Sequence, residues 1–313
     1  MSIINNYQPI PAVLERIANG YASQRKFAYN LLPLYQAEVA RDSYKVAKFG
    51  KDFLKTEDFR RASGAEPKRV KDNIEGWADI ATYRYTVESA VDRGDMVTAE
   101  DVVKAGLLAS ERRLTRAYER LFNSIEVEQV KAVSDAAQYP SGNTSTPTGN
   151  NAWSHESSDP VAQIQKARQA VKSKTGFYPN KMVISDPVWQ VLRRKDNLLA
   201  HMPMTSLKTG LTPEDFGKIC QIDSVIIADN MVNTGQQLDF TWSKNVILAY
   251  VPDTIYTLDE PVFGITIRAP LGYNAMRSYY DDRTTSDVVA IDERIGWSVV
   301  NYEAGYLFKN VIS

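Results

Sequence analysis

The pattern of apolar and polar positions changes character several times along the chain. Pro9 and Pro11 break the start, Val13, Leu14 and Ile17 offer one short apolar face, and Leu31-Leu32-Pro33-Leu34-Tyr35 forms a further apolar knot. This is too little for an independent core, so residues 1–41 are expected to form an arm that packs on something else. Residues 42–95 then read as β-like but poor in buried surface. Arms at 43–59 and 77–91 flank a charged tip at 60–69, with Lys, Arg, Asp and Glu recurring throughout. A hairpin with so little apolar surface is marginal alone in water. Something outside its own arms must hold it.

Helical spacing is clearest in the next stretch. Thr98 stands as a hydroxyl N-cap before Glu100 and Asp101, acids that favour the first turn. Val103, Leu107, Leu114, Tyr118, Leu121 and Ile125 recur on one face, with Glu100, Lys104, Arg112, Arg113 and Arg116 largely on the others. A helix from residue 98 to about residue 125 is on the order of 40 Å long, a spine rather than an average helix.

Residues 138–159, with Pro140, Gly142, Pro147 and Gly149, read as a boundary or an inserted surface loop. Asp159-Pro160 opens a helix whose apolar face is Val161, Ile164, Ala167 and Val171, and Gly176 stops it. The pattern then alternates. A strand at 182–185 leads into a helix opened by Asp186-Pro187, with Val188, Val191 and Leu192 inward. A second helix is opened by Thr212-Pro213, and strands at 224–228 and 245–251 complete a compact α/β unit. Asn233-Thr234-Gly235 reads as a turn. Residues 263–269, 273–280, 287–294 and 297–302 read as antiparallel strands.

Composition narrows the function classes. With 313 residues and 43% hydrophobic content, the chain can bury a real core. Its net charge of -1 gives no overall pull toward nucleic acid or anionic membrane, so any DNA contact needs a local basic patch. No apolar run approaches the roughly 18 residues that span a bilayer, so no membrane partner is expected. Residues 1–11 lack a signal-peptide pattern, so secretion by that route is not expected either. Cys220 is the one cysteine, excludes an intrachain disulfide and reads as a small buried hydrophobe in a reducing cytoplasm.

Candidate chemistry is sparse. G-x-G-x-x-G, G-x-x-x-x-G-K-[ST] and G-x-S-x-G are all absent from the sequence. His155 and His201 lie far apart, neither with a cysteine or acid at ligand spacing, so no metal and no cofactor are expected. Asp281-Asp282 and Asp292-Glu293 are the candidate paired carboxylates for acid–base work or a divalent ion. Their ordinary reading, a turn and a solvated strand end, is preferred, and an enzyme built on them is a rival. Arg112, Arg113 and Arg116, and the run Arg193-Arg194-Lys195, read as solvated helix surface and as cations at a helix C-terminus. Loose contact with a phosphate backbone is the alternative for both.

The order of arm, charged hairpin, long helix, α/β unit and returning strands resembles the major capsid proteins of tailed phages, with the Hong Kong 97-type fold, an α+β architecture. Tyr44-Lys45-Val46-Ala47-Lys48-Phe49-Gly50-Lys51, followed by Arg61-Ala62-Ser63-Gly64-Ala65-Glu66-Pro67-Lys68-Arg69-Val70, is similar to that family's extended loop. Met182-Val183-Ile184-Ser185-Asp186-Pro187-Val188-Trp189 resembles the strand and helix that begin its axial domain. Val246-Ile247-Leu248-Ala249-Tyr250-Val251-Pro252 and Ala304-Gly305-Tyr306-Leu307-Phe308-Lys309-Asn310 resemble its later strands.

The resemblance implies an N-terminal arm at 1–41 and an extended β-hairpin loop at 42–95. It implies a peripheral domain with spine helix and surface loop at 96–158, and an axial domain at 159–262. Peripheral strands and a C-terminal axial strand would return at 263–313. It implies a structural protein, not an enzyme, that self-assembles into pentamers and hexamers of an icosahedral phage head around non-specifically packaged DNA. Arg60, Arg61, Glu66, Lys68 and Arg69 are then expected to touch the neighbouring subunit. The chain starts almost directly with the arm, so a separate scaffolding protein is expected, along with a portal and a decoration protein. The expected location is the virion, after assembly in the host cytoplasm. Lys45, Lys48, Lys51 and Lys55 invite a covalent crosslink, but no partner motif accompanies them. A nanocompartment shell of the same fold around a protein cargo, like an encapsulin, is the alternative.

Overall fold

The computed structural model describes residues 27–49, 60, 61, 63, 64, 66, 74–92, 102–199, 210–235, 237–252, 262–271 and 276–313. A 3-10 turn, Phe27–Asn30, precedes strands β1 (Leu34–Gln36), β2 (Ser43–Phe49), β3 (Ile74–Ala81) and β4 (Tyr83–Asp92). Helix α1 (Val102–Val133) leads to β5 (Thr144–Ser145), α2 (Pro160–Thr175), β6 (Lys181–Ser185), α3 (Asp186–Leu192), α4 (Asp196–Leu199) and α5 (Pro213–Cys220). Then come β7 (Ser224–Ala228), β8 (Met231–Asn233), β9 (Leu238–Phe240), β10 (Val246–Ala249), β11 (Gly264–Arg268), β12 (Met276–Asp281), β13 (Ser286–Val299) and β14 (Gly305–Phe308).

Two five-stranded sheets organise these elements. The peripheral sheet is built on β13. β4 pairs antiparallel with it from Ser286 to Ile295, β12 takes its other edge from Ser286 to Ile291, and β11 continues that edge from Ile295 to Val299. β1 adds in parallel to β11, and Leu31 and Leu32 just before it are fully buried. The first half of the arm's apolar knot is thus packed, while Leu34 stays 40% exposed. The strands expected at 287–294 and 297–302 are one strand of 14 residues. Gly296 carries the chain through: a Cβ there would lie 2.2 Å from the carbonyl oxygen of Ala81, so only glycine lets β13 pass under the β3–β4 junction.

The axial sheet runs β5-β14-β10-β6-β7. One face packs Met182, Ile184, Val246, Leu248 and Phe308 against α2, α3 and α5. Local signals start these helices: Asp159 accepts from the Ala162 amide with Pro160 at the first position, and Thr212 accepts from the Asp215 amide. Gly176 ends α2 at φ 81, and Gly235 turns the β8–β9 hairpin at φ 92. The chain's last strand, β14, inserts between β5 and β10.

α1 ties the sheets together. Tyr118, Leu121, Phe122 and Ile125 pack on Val289, Ile291 and Ile295 of the peripheral sheet. The helix then runs past its expected end near residue 125, because Val130 and Val133 bury against Ile247, Ala249 and Leu307 of the axial sheet. Its 32 residues span about 48 Å. The expected cap, Thr98, lies outside the described residues. Among those described, no helix is long and apolar enough to cross a membrane.

The 138–159 segment is not a free surface loop. Trp153 is fully buried, its amide donates to the Val311 carbonyl at 2.7 Å and its indole to Gln163 Oε1 at 2.9 Å. Burying an indole this way anchors the segment to the axial core.

Candidate functional site

The distinctive surface of the molecule is the extended loop and its attachment. β2 and β3 pair antiparallel from Ser43↔Ala81 to Phe49↔Ile74. Alternation puts Tyr44, Val46 and Ile80 inward, where they pack on Ile265, Ile267, Ala269 and Val300. The hairpin was expected to lack a core; its root has one, contributed by the peripheral sheet. The second arm is also two strands rather than one. β3 stays with the loop, while β4 crosses into the peripheral sheet after a break at Thr82. The outer face of the ribbon keeps Trp77 51% exposed, beside the facing pair Lys45 and Asp79. At the tip, Arg60, Arg61 and Glu66 are exposed. Lys68 and Arg69 lie outside the described residues.

Where the loop leaves and rejoins the sheet, its two ends are clasped. The Thr82 amide donates to the Asp42 carbonyl at 2.9 Å, and the Thr82 hydroxyl donates to the Arg41 carbonyl at 2.8 Å. Arg294 of β13 reaches both ends, with Nε donating to Thr82 Oγ1 at 3.1 Å and Nη2 donating to the Asp42 carboxylate. Asp42 is open to water, so this ion pair contributes little energy. Its effect is geometric: it sets the angle at which the ribbon leaves the sheet.

The paired carboxylates are the main correction. Asp292 and Glu293 are 0% and 2% exposed in the middle of β13, not at a solvated strand end. They face opposite sides of the sheet. Asp292 accepts from Arg84 and Arg277, each at 3.0 Å, and from the Thr86 hydroxyl. Glu293, on the side of α1, holds Arg268 in a two-pronged pair whose Nε contact is 2.7 Å. Burial alone would lower the Arg268 pKa, but the hydrogen bond and charge of Glu293 outweigh it and the net shift is upward. Burial first, then the Glu293 charge, pushes the Tyr118 phenol up to about 12. Both carboxylates are therefore committed to guanidinium partners, and each neutralises charge inside the sheet.

The other candidates sit as ordinary groups. Asp281 closes the β12–β13 turn, accepting from the Arg283 amide and the Thr284 hydroxyl at 3.0 Å each. Cys220 is buried and burial pushes its thiol up to about 12, which leaves it inert. His155 is exposed and bonds Ser157 Oγ at 2.8 Å, while His201 lies outside the described residues. Among the described residues no group of three or more His, Cys, Asp or Glu is arranged to hold a metal.

No family model matches the chain. Over 278 residues it is 25% identical to the major capsid protein of Burkholderia phage BcepMu, with 86% of each chain covered. A phage-related protein from Bordetella bronchiseptica RB50 superposes with a TM-score of 0.76 at 21% identity, covering 96% of this chain and 97% of that one. The capsid structure of cyanophage P-SCSP1u aligns with a TM-score of 0.57 at 9% identity, over 98% and 91%. The chain has the Hong Kong 97-type capsid fold.

In this capsid fold α1 is the spine helix, the β2–β3 ribbon belongs to the extended loop, and the sheet holding α2 and α5 is the axial unit. Lys195 is a buried cation that its sequence neighbours do not announce. Arg193 and Arg194 are exposed as expected, but Lys195 is 9% exposed and its Nζ donates to the Trp153 carbonyl at 3.2 Å, the His155 carbonyl at 2.6 Å and Ser158 Oγ. Burial lowers its pKa, offset by the charges of Asp159 and Glu156. Its acceptors are mostly backbone carbonyls some 40 positions earlier, which leave no charge signal in the sequence. The buried Trp153 was the legible clue that this segment docks.

Proposed function

We propose that the chain is the major capsid protein of a tailed-phage head, a structural subunit that joins copies of itself into pentamers and hexamers of an icosahedral shell around DNA. The extended loop carries this reading: a ribbon with a packed root, a clasp that sets its angle, and a tip whose described residues Arg60, Arg61 and Glu66 are exposed, on a fold shared with phage capsids. Residues 59–71 hold Arg60, Arg61, Lys68, Arg69, Lys71 and Glu66, with Glu57, Asp58 and Asp72 beside them, so the tip needs a charge-complementary surface to lie on. In a shell, the neighbouring subunit supplies it, and Arg60, Arg61, Glu66, Lys68 and Arg69 form one half of the contact. Each exposed ion pair contributes only about 0–1 kcal/mol. Repetition around a closed ring supplies the rest.

In this reading residues 1–41 are the arm, 42–95 the extended loop, 96–158 and most of 263–313 the peripheral domain, and 159–262 with the last strand the axial domain. The partners in this reading are further copies of the chain, a scaffolding protein, a portal and packaged DNA. Assembly takes place in the host cytoplasm, and no catalytic role is assigned. A compartment around a protein cargo uses the same fold, but the relative matched over 86% of both chains is a phage protein, which favours the phage head.

Deleting residues 59–71 tests the reading. The variant subunit is expected to keep its circular-dichroism spectrum and melting temperature yet form no shells by electron microscopy. Normal particles from this variant would overturn the role given to the loop.

A further inference from the structure

Lys and Arg total 37 in this chain and Asp and Glu 38, so an even mixture would put acids and bases side by side everywhere. One stretch departs from that. From Pro160 to Ser185 the sequence carries Lys166, Arg168, Lys172, Lys174 and Lys181 and no aspartate or glutamate. On α2 the buried stripe is Ile164, Ala167, Arg168 and Val171, which turns Gln165, Lys166, Gln169, Lys172 and Ser173 to solvent. That surface offers cations and hydrogen-bond donors with no carboxylate competing for them. Of the acids on neighbouring elements, Asp159 caps the helix from its N-terminus, Glu303 sits part-buried on the 3-10 turn Tyr302–Ala304 packed against α2, and Glu214 and Asp215 lie in the first turn of α5, where Asp215 pairs with Lys218.

An exposed aromatic completes the surface. Tyr178, 44% exposed, follows the helix, with Lys172 Nζ 4.0 Å and Arg168 Cζ 4.8 Å from its ring centre. Arg168 is only 9% exposed, donates to Gln221 Oε1 at 2.8 Å, and its buried Nε has no hydrogen-bond partner among the described residues. Lysine, glutamine, serine and tyrosine side chains are the donors that contact sugar–phosphate backbones without reading bases.

We propose that the exposed face of α2, continued by Tyr178, is a phosphate-backbone contact surface for double-stranded DNA. This rests on the phage-head reading and deepens it. It assigns the packaged duplex to a particular face of the axial unit, in place of the basic runs at Arg112–Arg116 and Arg193–Lys195. Contact of this kind is independent of sequence and strongly dependent on salt, because each neutralised phosphate releases counterions.

The test uses the full chain, unassembled, and a fluorescent duplex of random sequence, with affinity measured by anisotropy across a salt series. The double variant Lys166→Gln/Lys172→Gln removes two exposed cations and leaves the buried stripe intact. It is expected to bind about tenfold more weakly near 0.1 M salt and to lower the log–log salt slope by about 2. The control variant Arg193→Gln/Arg194→Gln is expected to match the unaltered chain. An unchanged slope in the double variant overturns the proposal. So does a double variant that keeps its DNA affinity and loses shell formation, which would assign this face to a contact between copies of the chain. Failure of the phage-head reading is seen separately, as an unaltered chain that forms no shells whatever its affinity for DNA.

Discussion

At the scale of single residues, Asp292 shows how much a buried charge depends on its company. It lies fully buried beside Thr86, its direct partner across the strand pair, and its nearest cations are Arg84 and Arg277 at 3.0 Å. Removing one member of a buried pair costs about 3–5 kcal/mol when the other charge stays desolvated. The Arg84 side chain is 51% exposed and the Arg277 side chain 27%, so the first can return to water and the second cannot. Asp292→Ala is therefore expected to destabilise the unassembled subunit by about 3 kcal/mol in urea denaturation, with Asp292→Asn milder because it keeps an acceptor. A loss below about 1 kcal/mol in the alanine variant would mean that the pair is not the buried anchor described. Nothing near Asp292 in the sequence announces this role: Arg84 stands 208 positions away. Asp281, by contrast, was legible as a turn, because its partners are Arg283 and Thr284.

At the scale of elements, the joint between loop and sheet is where packing tolerates least. β13 passes beneath the β3–β4 junction at Gly296, with the Ala81 carbonyl where a side chain would go, and Arg294 clasps Asp42 and Thr82 one strand repeat away. Gly296→Ala must push that junction outward, and overpacking of this kind costs about 1–3 kcal/mol. The loss is expected to be local: amide exchange should quicken in β2 and β3 and stay unchanged in α2 and β6. Unaltered exchange at the loop root would refute the close approach. The same joint explains why 287–302 read as two strands and folds as one. Glycine in a strand ordinarily signals an interruption, and only the neighbouring chain reveals that here it signals proximity. Helices α2 and α5 posed no such difficulty, because Asp159 and Thr212 satisfy amides three residues ahead of themselves.

At the scale of the whole molecule, buried hydroxyl and thiol groups set the alkaline limit. Burial pushes the Cys220 thiol from 9.0 and the Tyr85 and Tyr118 phenols from 10.0 up to about 12, and raises Tyr139 well above its ordinary value. Each is an acid whose folded pKa exceeds its unfolded one, so the unfolded chain gives up protons first as pH rises. Their stabilisation is complete below pH 9 and drains away between about 9 and 12. Lys195 acts in the opposite sense, since its lowered pKa makes the folded state gain as pH rises toward 10.5, but it is one group against several. The melting temperature of the unassembled subunit is expected to fall steeply across that window in calorimetry, and a flat profile to pH 12 would contradict it. By itself the sequence determined what short-range chemistry determines. It specified the turns, the caps at Asp159 and Thr212, the apolar face of α2, the part of the α1 face made by Tyr118, Leu121 and Ile125, the alternation of the axial unit and the order of parts that resembles a capsid subunit. Only the tertiary structure decided the continuity of β13, the length of α1, the packed root and clasp of the loop, and the burial of Asp292, Glu293 and Lys195. The reason is physical: capping and periodicity act within a turn or two of chain, whereas burial and ion pairing depend on surfaces brought together from well beyond that reach, from 25 positions for Arg268 and Glu293 to 208 for Arg84 and Asp292.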